Sequence, residues 1–271
     1  MKLWLAIAVL AVWAGLACFG WLLPLNPSEI DLTRILMPPG ADAWLGYDDL
    51  GRALWDRVAV GARYSFFVAI FVVSISAVVG TAIGAVSAYL GGWLDHVITR
   101  IIDIFLAFPG ILLAIALAGV LGAGLGNVVI ALTVVGWVGF ARLARAQVLA
   151  QKSREHVQAA IALGARRRRI LLRHLLPLIG ASLIIEATFG VAAVVIAEAG
   201  LSFLGLGIQP PAPSWGSMIR DSSRYMLVSP HMVIVPGMAL MLVVIAVNTL
   251  GDALRDRLDV RLRGGRASST N

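Results

Sequence analysis

Charged residues are scarce in this chain of 271 residues. Asp, Glu, Lys and Arg make up 14% of it, whereas soluble domains carry about 25%. Apolar residues make up 59% and gather in uncharged runs longer than about 18 residues, enough for a helix to cross a membrane. The lack of charge therefore excludes an ordinary soluble domain and predicts one integral membrane domain. Because lipid cannot satisfy backbone hydrogen bonds, we expect it to be all-α.

Cysteine is nearly absent too, and Cys18 alone excludes a disulfide framework or a thiolate metal site within the chain. The histidines are scattered over different segments without metal-ligand spacing: His96, His156, His174 and His231. Gly124 and Gly126 belong to a turn that lacks the Lys-Ser/Thr of a phosphate-binding loop. A GxSxG nucleophile motif is also missing. We therefore expect no catalytic residue, no metal ligand and no bound cofactor in this chain.

Six apolar runs predict six transmembrane helices. They lie at 3–23, 64–93, two within 101–141 on either side of a glycine-rich turn at 122–127, 178–199 and 226–250. With both termini inside, 16 of the 22 lysines and arginines are cytoplasmic and 6 are outside. Basic residues accumulate on the cytoplasmic side of membrane proteins, so this asymmetry predicts an N-in/C-in topology. It also explains the net charge of +7 without a nucleic-acid partner.

A polar and basic segment at 155–177 interrupts the apolar pattern. Val157, Ala160, Ile161 and Gly164 recur at the spacing of one helix face. The small residues on or near this face would let another backbone approach closely, and Gly164 suits a helix end that needs positive φ. The pattern predicts a helix that docks on a partner at the cytoplasmic face.

Four consecutive arginines, Arg166–Arg169, begin a second short helix after Gly164. They are suited equally to anionic lipid at the membrane surface and to the docking partner, and the sequence leaves both alternatives open. Pro177 then begins the fifth span, where its missing N–H costs nothing.

Several blocks resemble one family, the second permease subunit of the dipeptide/oligopeptide/nickel class of ABC importers. The blocks are LGYDDLGR (45–52), AYLGGWLD (88–95), IIDIFLAFPGILLAIAL (101–117), AEAGLSFLGLGIQPPAPSWGSM (197–218) and NTLGDALRDRLDVRLR (248–263). The docking segment resembles the "EAA" loop of these permeases. Gln158 replaces the usual glutamate of that loop, and Tyr47 stands where threonine is usual in the first block.

The resemblance implies a type I ABC importer permease fold in the bacterial inner membrane. Residues 1–63 would supply the first transmembrane helix and a periplasmic segment. Residues 64–263 would form the permease core with a cytoplasmic coupling loop at 142–177, and 264–271 a cytoplasmic tail. The implied residues of ATPase coupling are Val157, Gln158, Ala159, Ala160, Ile161, Gly164, Leu176 and Pro177.

The resemblance further implies a transport subunit that is not itself an enzyme. It would pair with a homologous permease as a heterodimer and form half of the translocation pathway. Two ATPase subunits would bind ATP and Mg below it, and an extracytoplasmic solute-binding protein would deliver di- or oligopeptides, or a related small solute, from above. Closure of the ATPases would pull on the docking helices and switch the pathway from inward-open to outward-open.

Two glutamates, Glu186 and Glu198, fall within the fifth span, where ionisable groups are costly and often functional. Twelve residues separate them by about 18 Å along a helix, too far apart for one site. Each is a candidate for the substrate path, with a structural hydrogen-bonding role as the alternative. The runner-up function, a self-contained secondary transporter or channel, would use Glu186 as its coupling residue.

Overall fold

A computed structural model describes residues 2–41 and 43–267, with side chains described as far as 258. The described secondary structure is helical apart from two isolated β-bridges, Gly40 to Ala43 and Tyr47 to Ala53. The α-helices are α1 Leu3–Phe19, α2 Leu54–Leu90, α3 Gly92–Leu106, α4 Gly110–Leu121, α5 Leu125–Gln151, α6 Glu155–Ala162, α7 Arg167–Arg169, α8 Leu176–Phe203, α9 Trp215–Ser222 and α10 His231–Ala267. Short 3₁₀ turns lie at Gly20–Leu22, Leu32–Arg34 and Ser223–Tyr225, and a π-helical turn lies at Ile170–Leu175. The prediction of an all-α membrane protein is confirmed.

Five stretches of the described residues are long and apolar enough to cross a membrane as continuous helices. They are Leu3–Leu22, Leu54–Leu90, Leu125–Gln151, Arg167–Phe203 and His231–Leu258. A sixth crossing requires α3 and α4 to be counted together, and these two helices are bent by 86°. The described residues therefore contain five continuous spans, or six if this bent pair is one span, and the third apolar run does not form the straight helix that the sequence suggests.

Pro109 explains the break between α3 and α4. Proline disfavours the helical conformation of the residue before it and cannot donate a backbone hydrogen bond. Its carbonyl accepts from the backbone N–H groups of Leu112 and Leu113 at 2.9 and 3.2 Å, which starts α4 in the new direction. Hydropathy alone does not report such a bend.

Helix α2 begins at Leu54, ten residues before the uncharged run starts at Tyr64. Leu54 and Val58 are buried in its first turns, so the polar residues between them lie on a helix that continues into the apolar part. The predicted boundary between 63 and 64 therefore falls inside a helix.

The chain forms two compact units, each built from three segments. The first comprises Met1–Phe71, Ala114–Leu132 and Val191–Leu250. Two tryptophans organise its core: Trp13 Nε1 donates to the Ala62 carbonyl at 3.1 Å, and Trp215 Nε1 donates to the Val58 carbonyl at 3.0 Å. Both rings are buried with their polar atom satisfied. Short helix α9, which carries Trp215, is thereby held in the core of this unit.

The second unit comprises Val72–Leu113, Thr133–Gly190 and Gly251–Asn271. Here α2 and α5 approach closely through two glycines four residues apart. A Cβ on Gly80 would overlap the Trp137 carbonyl, and a Cβ on Gly84 would overlap the Ala141 carbonyl. Small residues at i and i+4 are the usual means by which membrane helices pack backbone to backbone.

Candidate functional site

Helix α6 is the predicted docking helix, and Val157 attaches it to the second unit. The Val157 side chain is 0% exposed and lies in a core cluster with Ala88, Val148 and Ile170. The predicted docking face is therefore divided. Val157 points into the protein itself, whereas Ile161 is exposed.

The opposite side of α6 is exposed and contains small and apolar residues. Ala159 and Ala162 are exposed on it, and Ala160 is half-buried at its edge. Leu163, just beyond the helix, is 88% exposed. Sequence reasoning missed Ala162 and Leu163, although the helix period that places Val157 inside also places them outside. We call the exposed residues Ala159, Ile161, Ala162 and Leu163 the α6 outer face; Ile161, one turn from Val157, lies at its edge.

Gly164 ends α6 with a φ of +76°, the left-handed conformation expected from the sequence. The Ala165 N–H donates to the Ala160 carbonyl at 3.0 Å, and the Gly164 N–H donates to the Ile161 carbonyl at 2.9 Å. This pair of bonds is the Schellman motif, which satisfies the last carbonyls of a helix. Gly164 thus sets where α6 stops and where the basic segment starts.

Gln158 is one of the two residues at which this chain departs from the pattern of the permeases that it resembles. Its side-chain Nε2 donates to the Lys152 carbonyl at 2.9 Å, while Lys152 Nζ donates to the Ala88 carbonyl at 3.2 Å. An ionised glutamate only accepts hydrogen bonds and could not make the first of these contacts. The Gln158 amide therefore connects the start of α6 to the end of α5. The Lys152 side chain in turn connects the end of α5 to the end of α2.

The last two predicted coupling residues, Leu176 and Pro177, begin α8. Leu176 is half-buried against the same core cluster as Val157, and Pro177 is exposed. Arg167–Phe203 is one continuous helical stretch, which joins the arginines to the apolar fifth span through the π-helical turn. The separate short helix expected after Gly164 is accordingly a part of that stretch.

A bidentate ion pair in the same unit was not foreseen from the sequence. Arg145 Nε and Nη2 each donate to one carboxylate oxygen of Asp95 at 2.7 Å. Asp95 lies in the first turn of α3 and Arg145 on α5. Two parallel charge-assisted bonds fix orientation as well as distance, so α3 is held at a defined angle on α5.

The two glutamates of α8 lie in different surroundings. Glu198 is 1% exposed and accepts hydrogen bonds from the hydroxyls of Ser202 at 2.8 Å and Ser65 at 3.2 Å. Glu186 is half-buried in the second unit, where a Cβ on Gly139 would lie 3.3 Å from its Oε1. The arrangement around Glu198 supports a structural role, because each of its carboxylate oxygens already has a donor.

The LGYDDLGR block forms a closed ion-pair turn before α2. Asp48 is buried and pairs with Arg52 at 2.7 Å and with Arg57 at 3.3 Å. Tyr47, the second departure from the family pattern, accepts a 2.6 Å hydrogen bond at its hydroxyl from Arg34. The turn holds the preceding segment against the start of α2.

Near this turn, Asp31 accepts hydrogen bonds at the same carboxylate oxygen from the Thr33 hydroxyl at 2.6 Å and backbone N–H at 3.0 Å. These bonds to the charged form hold the pKa of Asp31 below its usual value. The residues that the structure describes contain no group of three or more His, Cys, Asp or Glu able to hold a metal ion.

Residues 80–264 match the model of a protein family described as the binding-protein-dependent transport system inner membrane component. The matched range includes α6, Gly164 and both glutamates of α8. It covers more than half of the chain.

Curated relatives match over nearly the whole chain. The glutathione transport system permease protein GsiD of Escherichia coli is 41% identical over 245 residues, covering 90% of this chain and 81% of that protein. GsiD of Pectobacterium atrosepticum is 39% identical over 260 residues, covering 96% of this chain and 85% of that protein. Among solved structures, an inward-facing MetNI methionine ABC transporter matches with a TM-score of 0.57 and 21% identity, covering 75% of this chain and 95% of that chain. This last likeness concerns the fold.

Proposed function

Because the chain belongs to the family of binding-protein-dependent transport system inner membrane components, we propose that α6 transmits the work of a separate ATPase to its membrane helices. The chain is a multi-pass inner-membrane permease subunit of an ABC importer. Membership in this family decides against the runner-up, a self-contained transporter or channel.

One observation carries the proposal: α6 is buried on one side and exposed on the other. Val157 lies in a cluster with Ala85 and Ala88 of α2, Ala144 and Val148 of α5, and Ile179 of α8. A displacement of α6 would therefore act directly on three membrane helices. Packed cores transmit such displacements because they do not deform continuously.

The α6 outer face supplies the contact for the ATPase. Exposed apolar side chains mark protein interaction sites when they are grouped, and Ile161 and Leu163 are both large and exposed. Ala159 and Ala162 leave room for a partner backbone between them. A concavity of about 350 Å³ adjoins this face and is lined by residues including Tyr89, Lys152, Gln158, Ile161 and Arg167. We infer that a segment of the ATPase fits there.

The remaining partners follow from the same assignment. We infer that a homologous permease forms the other half of the pathway as a heterodimer. Two ATPase subunits bind ATP and Mg, so that hydrolysis takes place outside this chain, and an extracytoplasmic protein delivers the solute. Within this chain, we infer three groups of coupling residues. Buried Val157 and half-buried Leu176 form the connection to the core, Gln158 and Gly164 determine the position of the helix, and the α6 outer face forms the contact.

The solute that we propose is a small peptide or peptide-like compound of the glutathione class. The support is the name of the relatives, which are 39–41% identical over at least 90% of this chain. Glu186 and Glu198 of α8 are less well supported as residues of the substrate path than the coupling residues are in their role. For Glu198 the reason is that it already accepts hydrogen bonds within the first unit.

Affinity purification of the assembled importer in mild detergent, through a tag on this chain, tests the coupling proposal. The wild type is expected to retain a second permease and the ATPases. Ala159→Glu places a charge on the α6 outer face, so it is expected to reduce the recovered ATPase at least tenfold while the second permease is retained. Ala159→Ser, which keeps the residue small, is the matched control.

If Ala159→Glu recovers as much ATPase as Ala159→Ser, the ATPase does not bind at the α6 outer face. Recovery of the wild-type chain without any ATPase would overturn the coupling role as a whole. Thermal unfolding of the purified variants separates loss of contact from loss of fold, because an exposed position leaves the unfolding midpoint unchanged.

A further inference from the structure

A second concavity, of about 370 Å³, lies on the basic segment and is not used by the α6 outer face. It is lined by Arg166, Arg168, Arg169, Leu172 and Arg173. Arg167, in the middle of the run, instead lines the concavity beside α6. One arginine of the basic segment thus lies near the α6 outer face, and the other four line a separate concavity.

Within the part of the chain whose side chains are described, these four guanidinium groups lack an acidic partner. Among the side chains described, at 2–41 and 43–258, none of the carboxylates forms an ion pair with Arg166, Arg168, Arg169 or Arg173, whereas Arg52 and Arg145 are both paired. Four like charges around one cavity repel each other, and an anion placed there relieves the repulsion. Planar guanidinium groups suit a phosphate because each can donate two parallel hydrogen bonds.

Leu172 identifies the kind of anion. It is 46% exposed and lines the cavity among the arginines. The segment also continues without a break into the apolar stretch that ends at Phe203. An open concavity at the polar end of a membrane helix, lined by four arginine side chains and an exposed leucine, fits a molecule with a phosphate and a hydrocarbon chain.

We propose that Arg166, Arg168, Arg169 and Arg173 bind the phosphate of an anionic phospholipid, with Leu172 against its first acyl carbons. The lipid occupies the inner-leaflet end of α8, after α6 in the chain. It neutralises the arginines and holds the π-helical turn Ile170–Leu175 at the membrane surface.

Native mass spectrometry of the purified full chain, titrated with phosphatidylglycerol or phosphatidylcholine at one ionic strength, tests this site. The wild type is expected to bind one phosphatidylglycerol at least about tenfold more tightly than phosphatidylcholine. Arg168→Gln/Arg169→Gln is expected to lose that preference. Arg255→Gln/Arg257→Gln removes the same charge from exposed positions of α10 and is expected to keep it.

Equal loss of the preference in both double variants would overturn the site, since net charge alone would then explain it. Displacement of the lipid by equimolar inorganic phosphate would assign the cavity to a soluble anion instead. Loss of co-purified ATPase from Arg168→Gln/Arg169→Gln, with lipid binding unchanged, would assign the arginines to the ATPase. If that variant does not fold, Arg166→Gln/Arg173→Gln is measured in its place, with the same expected loss.

Discussion

At the scale of single residues, the structure gives a physical reason for the glutamine at position 158, where glutamate is usual in the family. Compared with glutamate, glutamine at this position lacks the negative charge that an ion pair with the ATPase would need. In the structure its amide donates to the Lys152 carbonyl, a contact that a carboxylate cannot make. The amide of residue 158 therefore contributes to the position of α6 in this chain.

Glu198 permits a prediction at the same scale. Glu198→Ala deprives the hydroxyls of Ser65 and Ser202 of their acceptor and leaves a cavity, at a cost of about 2–4 kcal/mol. Glu198→Gln keeps one acceptor oxygen and the volume, so most of the stability is retained. Thermal unfolding in detergent is expected to order the proteins as wild type, Glu198→Gln, Glu198→Ala.

The solute concentration for half-maximal uptake distinguishes this structural role from substrate contact. It is expected to be unchanged in Glu198→Gln. A large increase in that variant, with an unchanged unfolding midpoint, would show that Glu198 contacts the solute.

At the scale of helices, the crossing of α2 and α5 depends on Gly80 and Gly84. Both glycines have a carbonyl of α5 where a Cβ would be. The two residues are four apart in the sequence, so the small-xxx-small pattern was visible there. Which helix they face could not be read from it, because the pattern is the same for any partner.

Gly84→Ala and Gly180→Ala are expected to change stability in opposite directions. The first forces α2 away from α5 and costs about 1–3 kcal/mol. The second adds a methyl group where no atom lies within 4 Å, so the better helix propensity of alanine applies, worth about 0.5–1 kcal/mol. Unfolding midpoints of the two variants in one detergent check this. A midpoint for Gly84→Ala at or above that of the wild type would contradict the close crossing.

At the scale of the whole molecule, the chain is one part of an importer. Proteoliposomes that contain this chain, its partner permease and the ATPases, supplied with the binding protein, are expected to accumulate labelled glutathione only when ATP is present. This chain alone is expected to transport none, because in the proposed assembly it forms half of the pathway. Uptake by the chain alone would contradict the proposed assembly. Assembled, ATP-dependent uptake of another solute would change only the proposed substrate.

The sequence by itself determined the class of the molecule. Its long uncharged runs require helices in lipid, its basic asymmetry predicts the topology, and Gly164 predicts the end of the docking helix. These conclusions rest on local properties, namely hydropathy, charge and backbone freedom, which a stretch of chain has before it packs. For the same reason the helix that ends at Gly164 could be located without the structure.

Only the tertiary structure decided which side of each element faces inward. Helical periodicity places Val157, Ala160 and Ile161 together, but the core formed by α2, α5 and α8 takes Val157 and leaves Ile161 outside. In the folded protein Arg167 and its neighbouring arginines line different concavities. A periodic pattern defines the faces of a helix. Which face is buried depends on packing against residues that are distant in the chain.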